Sequence, residues 1–321
     1  MALSSRAIVA IVLCAAVPSL ASEPYPTKSI RLIVPYAAGG PSDVAARFIA
    51  EPLAEQLGQR VVVDNRGGAG GLLATEAYVR DPADPHAILL GAIGPLSIIP
   101  SGKTVSYDPE KAFIPLGSIW SSAQVLAVGP KLNLTTLDEF IAYAKANPGR
   151  VTVGSAGVGS VSHLAIELLR QQAKVDLLHV PFRSTGATIP NVIGGQIDAL
   201  FGDVSVLAPY VSGGSMRGLA IASSKRHAAQ PDLPTMAELG VSGVEAENWY
   251  GLVVSASTPK PIVDRLQSAL HAAQTSPAYK ESLERHRASA GELGPDHLAR
   301  QIRSELAKWG AIIKSAGIKL E

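Results

Sequence analysis

The segment Ile30–Ala50 constrains the chain most. Ile30 to Val34 is a short apolar, β-branched run, the pattern of a buried strand. Gly39-Gly40 follows, where the backbone turns sharply and can approach a ligand closely. Pro41 suits a first helical position, and Ser42 and Asp43 suit a helix start. Val44, Phe48, Ile49, Leu53 and Leu57 then recur at helical spacing. The result is a strand, a glycine turn and a helix N-terminus whose unpaired N–H groups face the turn. That is a general anion site.

The same pattern returns along the chain. Arg60–Asp64 reads as a strand, Asn65–Gly71 as a second glycine turn and Leu72–Val79 as a helix. Ala87–Gly94 reads as a third strand closing on a small loop, and Gln124–Val128 as a strand stopped by Gly129-Pro130. Leu137–Ala146 and Val161–Gln172 read as helices; the second follows the strand and Gly/Ser loop of Val151–Ser160. Later strands are expected at Leu177–Phe182, Ile197–Phe201, Arg217–Ala222 and Gly251–Ala256, with helices at Ala187–Ile193 and Val206–Val211. From Pro261 on the chain is mainly helical, with Leu298, Ile302, Leu306 and Trp309 on one face of the last helix.

A chain of 321 residues that is 47% hydrophobic and only 5% aromatic suits an α/β protein with buried parallel strands. Glycine-rich loops collect at the carboxyl edge of such sheets, where ligands bind. Two α/β units are expected, with links near Ser121–Gln124 and Ala246–Trp249. Lobe 1 is then 22–122 and 248–321, and lobe 2 is 123–247. Two crossovers invite hinge closure around a ligand. Basic and acidic residues number 28 and 27 with no long charge run, so nothing points to nucleic acid.

The N-terminus reads as a signal peptide, residues 1–21. Arg6 is positive, Ala7–Val17 is an apolar core too short to span a bilayer, and Ser19-Leu20-Ala21 offers a cut after Ala21. Export to the periplasm follows. The one cysteine, Cys14, lies within this segment. Leu13 before it lacks the small side chain that lipoprotein processing needs, so the mature chain has no thiol chemistry.

Motifs of catalysis fail in turn. Gly102-Lys103-Thr104 ends like a phosphate loop, but Ser97 stands where its first glycine belongs. Gly157-Val158-Gly159-Ser160-Val161-Ser162 misses the last position of a dinucleotide fingerprint. Ser155 and Ser160 lack the first glycine of a nucleophile elbow, and no histidines share metal-ligand spacing. No metal or cofactor is expected. Ser155, Ser160 and Ser162 add hydroxyl donors beside the loop. Asp203 has three readings: neutralising a ligand amine, orienting a water, or capping the helix from Ser205. Asp43 serves the helix dipole or the ligand, and Trp249-Tyr250 lines the cleft or packs the hinge.

Taken in order, several stretches carry a resemblance: Tyr25–Arg31, Val34–Asp43, Val62–Gly71, Ala144–Gly149, Gly154–Ser160, His179–Phe182 and Trp249–Gly251. The chain resembles the periplasmic solute receptors of the tripartite tricarboxylate transporter family, the TctC-like or Bug proteins. The resemblance implies a type II periplasmic binding protein, a Venus flytrap of two lobes, each a mixed β-sheet flanked by helices. It implies a small carboxylate held by main-chain N–H groups and ordered water. By position, Tyr36, Ala38, Gly39, Gly40, Ser42 and Asp43 form one wall with Ala69, Gly70, Ile93 and Gly94. Ser155, Gly159, Ser160, His163, Thr185 and Asp203 face them from lobe 2, and Arg183 offers a charge for a second carboxylate. Asp84-Pro85-His86, Leu72 and Phe182–Gly186 depart from the family's usual residues. The partners implied are TctA/TctB-like membrane subunits, with the receptor a monomer and not an enzyme. The rivals are a receptor feeding a membrane sensor and a secreted hydrolase using Ser155 or Ser160.

Overall fold

The computed structural model describes residues 25–81, 84–228, 230–286 and 288–320. The expected signal segment, Cys14 and the cut after Ala21 lie outside the described residues.

Two similar units share one sheet. In the first, β1 (Ile30–Val34) lies between β2 (Val61–Asn65) and β3 (Ala87–Ala92), all parallel. Helix α1 (Pro41–Leu57) connects β1 to β2, and α2 (Leu72–Arg80) connects β2 to β3. Pro41 starts α1, and Gly58 ends it in the left-handed region at φ 69°. After β3 the expected small loop is instead helical: a π-turn at Gly94–Ile98 runs into α3 (Ile99–Gly102). Pro95 and Pro100 lack a backbone N–H, which suits helix starts and hides this turn from pattern reading.

Next comes β4 (Phe113–Val128), 16 residues long. Only its end, Gln124–Val128, was expected as a strand. Register shifts at Pro115/Gly117 and Ser118/Trp120 break the alternation that marks strands in sequence. The second unit follows: α4 (Leu137–Ala146), β5 (Val151–Ser155), α5 (Val161–Ala173), β6 (Leu177–Pro181), α6 (Thr185–Ile193), β7 (Ala199–Asp203), α7 (Val204–Ser212) and β8 (Arg217–Ala222). β5 lies parallel between β6 and β7, as β1 lies between β2 and β3.

The chain returns in β9 (Glu247–Ser255). This strand runs antiparallel to β3 on one side and to β4 from Phe113 to Ala123 on the other. The rest of β4, Gln124–Val128, pairs antiparallel with β7 and β8. The order is therefore β2-β1-β3-β9-β4-β7-β5-β6. α8 (Lys260–Thr275), α9 (Pro277–His286), β10 (Ser289–Ala290) and α10 (Pro295–Ala316) complete the chain. α10 buries Leu298, Ile302, Trp309 and Ile313, while Leu306 is only half-buried. It packs on α3, where the Ser101 hydroxyl donates to the Leu306 carbonyl at 2.9 Å.

The largest core runs through both units, joining Ile33 and Leu89 to Leu164 and Phe201, and two smaller ones are local. One joins Ile30, Leu32 and Val34 of β1 to Phe48, Ile49 and Leu53 of α1 and Leu266 and Leu270 of α8. Another joins β4 and β7 to Ile189, Val204 and Leu207 of α6 and α7. Among the described residues no helix is long and apolar enough to cross a membrane.

Leu266 is fully buried between α8 and α1, whereas Leu178 on β6 is 51% exposed. Leu266→Ala is expected to cost about 2–5 kcal/mol in urea unfolding, and Leu178→Ala less than about 0.5 kcal/mol. Equal losses would contradict this placement of the core.

Candidate functional site

Three helices begin around one space. Gly40, Pro41 and Ser42 at the start of α1 face Ser160, Val161 and Ser162 of α5 and Ser184 and Thr185 of α6. With Tyr36, Ala156, Asp203, Asn248 and Tyr250 they enclose a narrow cavity of about 10 Å³. The first N–H groups of each helix have no intrahelical acceptor, and the dipoles add positive potential there. Among the described residues lining the cavity, none is lysine or arginine. A larger groove lies elsewhere, lined by residues such as Pro130, Thr135, Arg217 and Asp232.

Local bonds fix the helix starts. Ser160 Oγ accepts from the His163 N–H at 3.3 Å and donates to the Gly157 carbonyl at 2.6 Å. Ser184 Oγ accepts from the Ala187 N–H at 3.3 Å. In the first loop the Gly39 N–H donates to Asp43 at 3.0 Å, and Arg47 Nε donates to the same carboxylate. Asp43 therefore holds the turn, with Gly39 at φ 80°, and does not line the cavity.

The lobes touch through main chain. The Ala37 N–H donates to the Arg183 carbonyl at 3.4 Å. A Cβ on Gly186 would lie 2.4 Å from the Gly39 carbonyl oxygen, and one on Gly70 would lie 2.1 Å from that of Val158. Such approach needs glycine. The Tyr36 hydroxyl donates to the Gly70 carbonyl at 2.8 Å and sits beside Gly94.

Of the residues expected in the site, Tyr36, Gly40, Ser42, Ser160, Thr185 and Asp203 line the cavity. Ala69, Gly70 and Gly159 instead stand at the contact between lobes, Gly94 lies beside the Tyr36 hydroxyl, and Ile93 is buried in the core. Ala38, Gly39 and Arg183 are exposed at the rim, where Arg183 contributes its carbonyl to the contact between lobes.

Ser155 and His163 form a layer behind the loop. The His163 ring stacks on His179 at 4.2 Å between centroids. His163 Nδ1 accepts from the Gly159 N–H at 3.2 Å, and Ser155 Oγ lies 2.6 Å from His179 Nε2. Burial pushes His163 down to about 3 and His179 to about 4; the Arg170 charge adds to both, and each ring is neutral at pH 7. This serine–histidine pair was not visible in the sequence. Ser155 is fully buried, accepts from the Gly157 N–H at 3.1 Å, and does not reach the cavity.

Pro41, Ala156, Val161, Ser162 and Ser184 also line the cavity, as do Asn248, which no sequence pattern assigned to it, and Tyr250, which takes the cleft-lining alternative. The last two lie on β9, and Asn248 Nδ2 donates to Asp203 Oδ2 at 3.3 Å and to the Tyr250 hydroxyl. Trp249, between them, points into the core. Asp203 is the N-cap of α7, yet its side chain makes no capping bond there. Burial pushes its carboxyl up to about 7, while the neighbouring Gln124 and Asn248 amides pull the other way. Tyr36 and Tyr250 are raised above the usual phenol range, chiefly by burial and then by the Asp203 charge.

Residues 45–318 match the family described as the tripartite tricarboxylate transporter family receptor. The chain belongs to this receptor family. The receptor is 32% identical to Protein BugT of Bordetella pertussis over 94% of its own length and 93% of that protein. Its fold matches the periplasmic binding protein BugD with a TM-score of 0.88 at 32% identity, covering 92% and 99% of the two chains. It matches MatC from Rhodopseudomonas palustris with bound malate at a TM-score of 0.86 and 30% identity, covering 90% and 100%. The two-lobe architecture of periplasmic solute-binding proteins is therefore the receptor's own.

The Asp203 carboxyl has a folded pKa above its unfolded value, so the folded state retains a proton that the unfolded state has lost between about pH 4 and pH 7. Its contribution thus falls as pH rises through that window. His163 and His179 act oppositely: their contribution is complete above about pH 6.5 and is lost as pH falls toward their depressed values. Comparing wild type with Asp203→Asn cancels the histidines. The variant's relative stability should rise from pH 4 to pH 7 by a few kcal/mol, on the order of 1.4 per pH unit, in urea unfolding of ligand-free protein. A pH-independent difference would contradict the burial of an acidic Asp203.

Proposed function

We propose that this receptor binds a small carboxylate between its lobes, in the periplasm, and delivers it to TctA/TctB-like membrane subunits without changing it chemically. The observation that carries this reading is the convergence of three helix N-termini, from both lobes, on a cavity lined by no lysine or arginine among the described residues. Fixed N–H groups and dipoles attract an anion, each helix contributing roughly 0.3–1 kcal/mol or more when partly buried. They remain in place when the ligand leaves, whereas a permanent side-chain cation would need another counter-charge. MatC, of the same fold, carries malate.

The lobes are proposed to be 22–122 with 248–321 and 123–247, hinged where β4 and β9 pass between them. Catalysis is set aside because Ser155 is shielded from the cavity and its partner histidine is a weak base, depressed to about 4. The receptor is proposed to act as a monomer.

A thermal-shift panel of mono-, di- and tricarboxylates against neutral solutes tests the ligand class. At least one acid should raise the melting temperature in proportion to the logarithm of its concentration above Kd. A shift given only by a neutral solute would overturn the proposal. Closure has its own test in Gly186→Ala. The added methyl should hold the lobes apart, weakening the bound acid by about tenfold or more while the unliganded stability changes little. Unchanged affinity, with no expansion in small-angle scattering, would refute closure through this contact.

A further inference from the structure

The loop before α5 divides its donors into two sets. The Ala156 N–H donates to Ser162 Oγ at 3.0 Å, that of Gly157 to Ser155 Oγ at 3.1 Å, and that of Gly159 to His163 Nδ1 at 3.2 Å. The Ser160 N–H turns back to the Gly157 carbonyl at 3.1 Å. The N–H groups of Val161 and Ser162, the first two of α5, have no intrahelical acceptor, and these residues line the cavity.

Two of those acceptors depend on an imidazole. His163 Nδ1 accepts only while it carries no proton, which places the hydrogen of the neutral ring on Nε2, toward Glu167 Oε1 at 3.8 Å. Ser155 Oγ has a single hydrogen. His179 Nε2 lies 2.6 Å from it and the Gly157 carbonyl 3.4 Å, and that carbonyl already accepts from the Ser160 hydroxyl at 2.6 Å. The Ser155 hydroxyl therefore donates to His179 Nε2, and the His179 hydrogen sits on Nδ1. The rings stack within 19° of parallel, so neither turns without displacing the other.

We infer that His163 and His179 are positioning residues for the bound acid: in these tautomers they hold the Gly157 and Gly159 N–H groups on the far side of the loop, which leaves those of Val161 and Ser162 aimed at the cavity. This rests on the carboxylate reading above and adds what keeps the α5 start in place. Neither ring lines the cavity; each acts through the loop. The same loop abuts the first unit. A Cβ on Gly159 would lie 2.4 Å from Ile99 Cγ1, and one on Gly157 would lie 3.1 Å from the Gly70 nitrogen. Released from the rings, the loop would lose its fit to the guest and to that contact together.

The test sets hydrogen bonding against packing. His163→Phe keeps a ring on His179 but has no acceptor, whereas His163→Asn leaves a void but offers Oδ1 in place of Nδ1. In ligand-free protein, NMR-detected exchange of the Gly159 amide is measured relative to core amides of β5, so that a change in overall stability cancels. Exchange should be about tenfold or more faster in His163→Phe and within about threefold of wild type in His163→Asn. Calorimetry with succinate, malate and citrate follows. An acid that binds wild type should bind His163→Phe about tenfold or more weaker and His163→Asn within about threefold. A packing role alone predicts the reverse order, and that order would overturn the proposal, as would equal Gly159 exchange in all three proteins. On wild type, imidazole ¹⁵N shifts should show His163 protonated at Nε2 and His179 at Nδ1; the opposite tautomers would overturn it even if both variants fold poorly. If none of the three acids binds wild type while tautomers and exchange are as expected, the carboxylate reading fails and the hold of the rings on the loop stands.

Discussion

Helix starts that face one another across a narrow gap repel unless something negative lies between them. Here α1 approaches from one lobe and α5 and α6 from the other, each presenting its positive end to the same space. This constraint accounts for the surrounding chemistry. At the helix starts the lining includes Gly40, Ser42, Ser160, Ser162, Ser184 and Thr185, small enough to leave N–H groups within reach of a guest. The two histidines behind the α5 loop are kept neutral and serve as acceptor and stacking partner, so they add no competing charge. Arg47 is bound to Asp43, and Arg183 stands at the rim, so neither supplies a cation inside.

Asp203 sets the polarity of that arrangement. One wall offers donors and the other offers acceptors, a division that arises where β7 and β9 both end up beside β4. Gln124 and Asp203 are register partners, and Asn248 pairs with Ser122 two residues before. A group buried at a cost in the folded protein, and left without a capping role, is a common mark of a site shaped for something other than stability.

The strand–glycine–helix units were legible because each is local. An apolar run and a glycine-bearing or serine-capped turn lie close together in sequence, and the periodic helix follows at once. The last helix was equally plain, since Leu298, Ile302 and Trp309 repeat at helical spacing. What stayed hidden depended on long-range pairing. β4 carries bulges that scramble its alternation, so its first half did not read as strand. Asn248 meets Asp203 across 45 residues, through strands whose register no local pattern reveals. Ser155 and His163 sit in the same loop-helix unit as Ser160, yet only the backbone path decides which of them faces the cavity and which supports it from behind. Arg183 was offered as a charge for a second carboxylate; in the structure it is exposed and lines a groove with Ala37 and Ala69.

The contact between Gly39 and Gly186, and that between Gly70 and Val158, have a bearing on how such a protein can change. On the closure proposed above, where the two halves stop is dictated by peptide groups meeting peptide groups. On the same proposal, the residues that choose the guest are different ones. Mutations at Asp203, Asn248 or Thr185 can therefore redraw the guest list without moving the stop. A descendant of this chain could acquire a new cargo and still present the same closed outline to whatever membrane machinery inspects it.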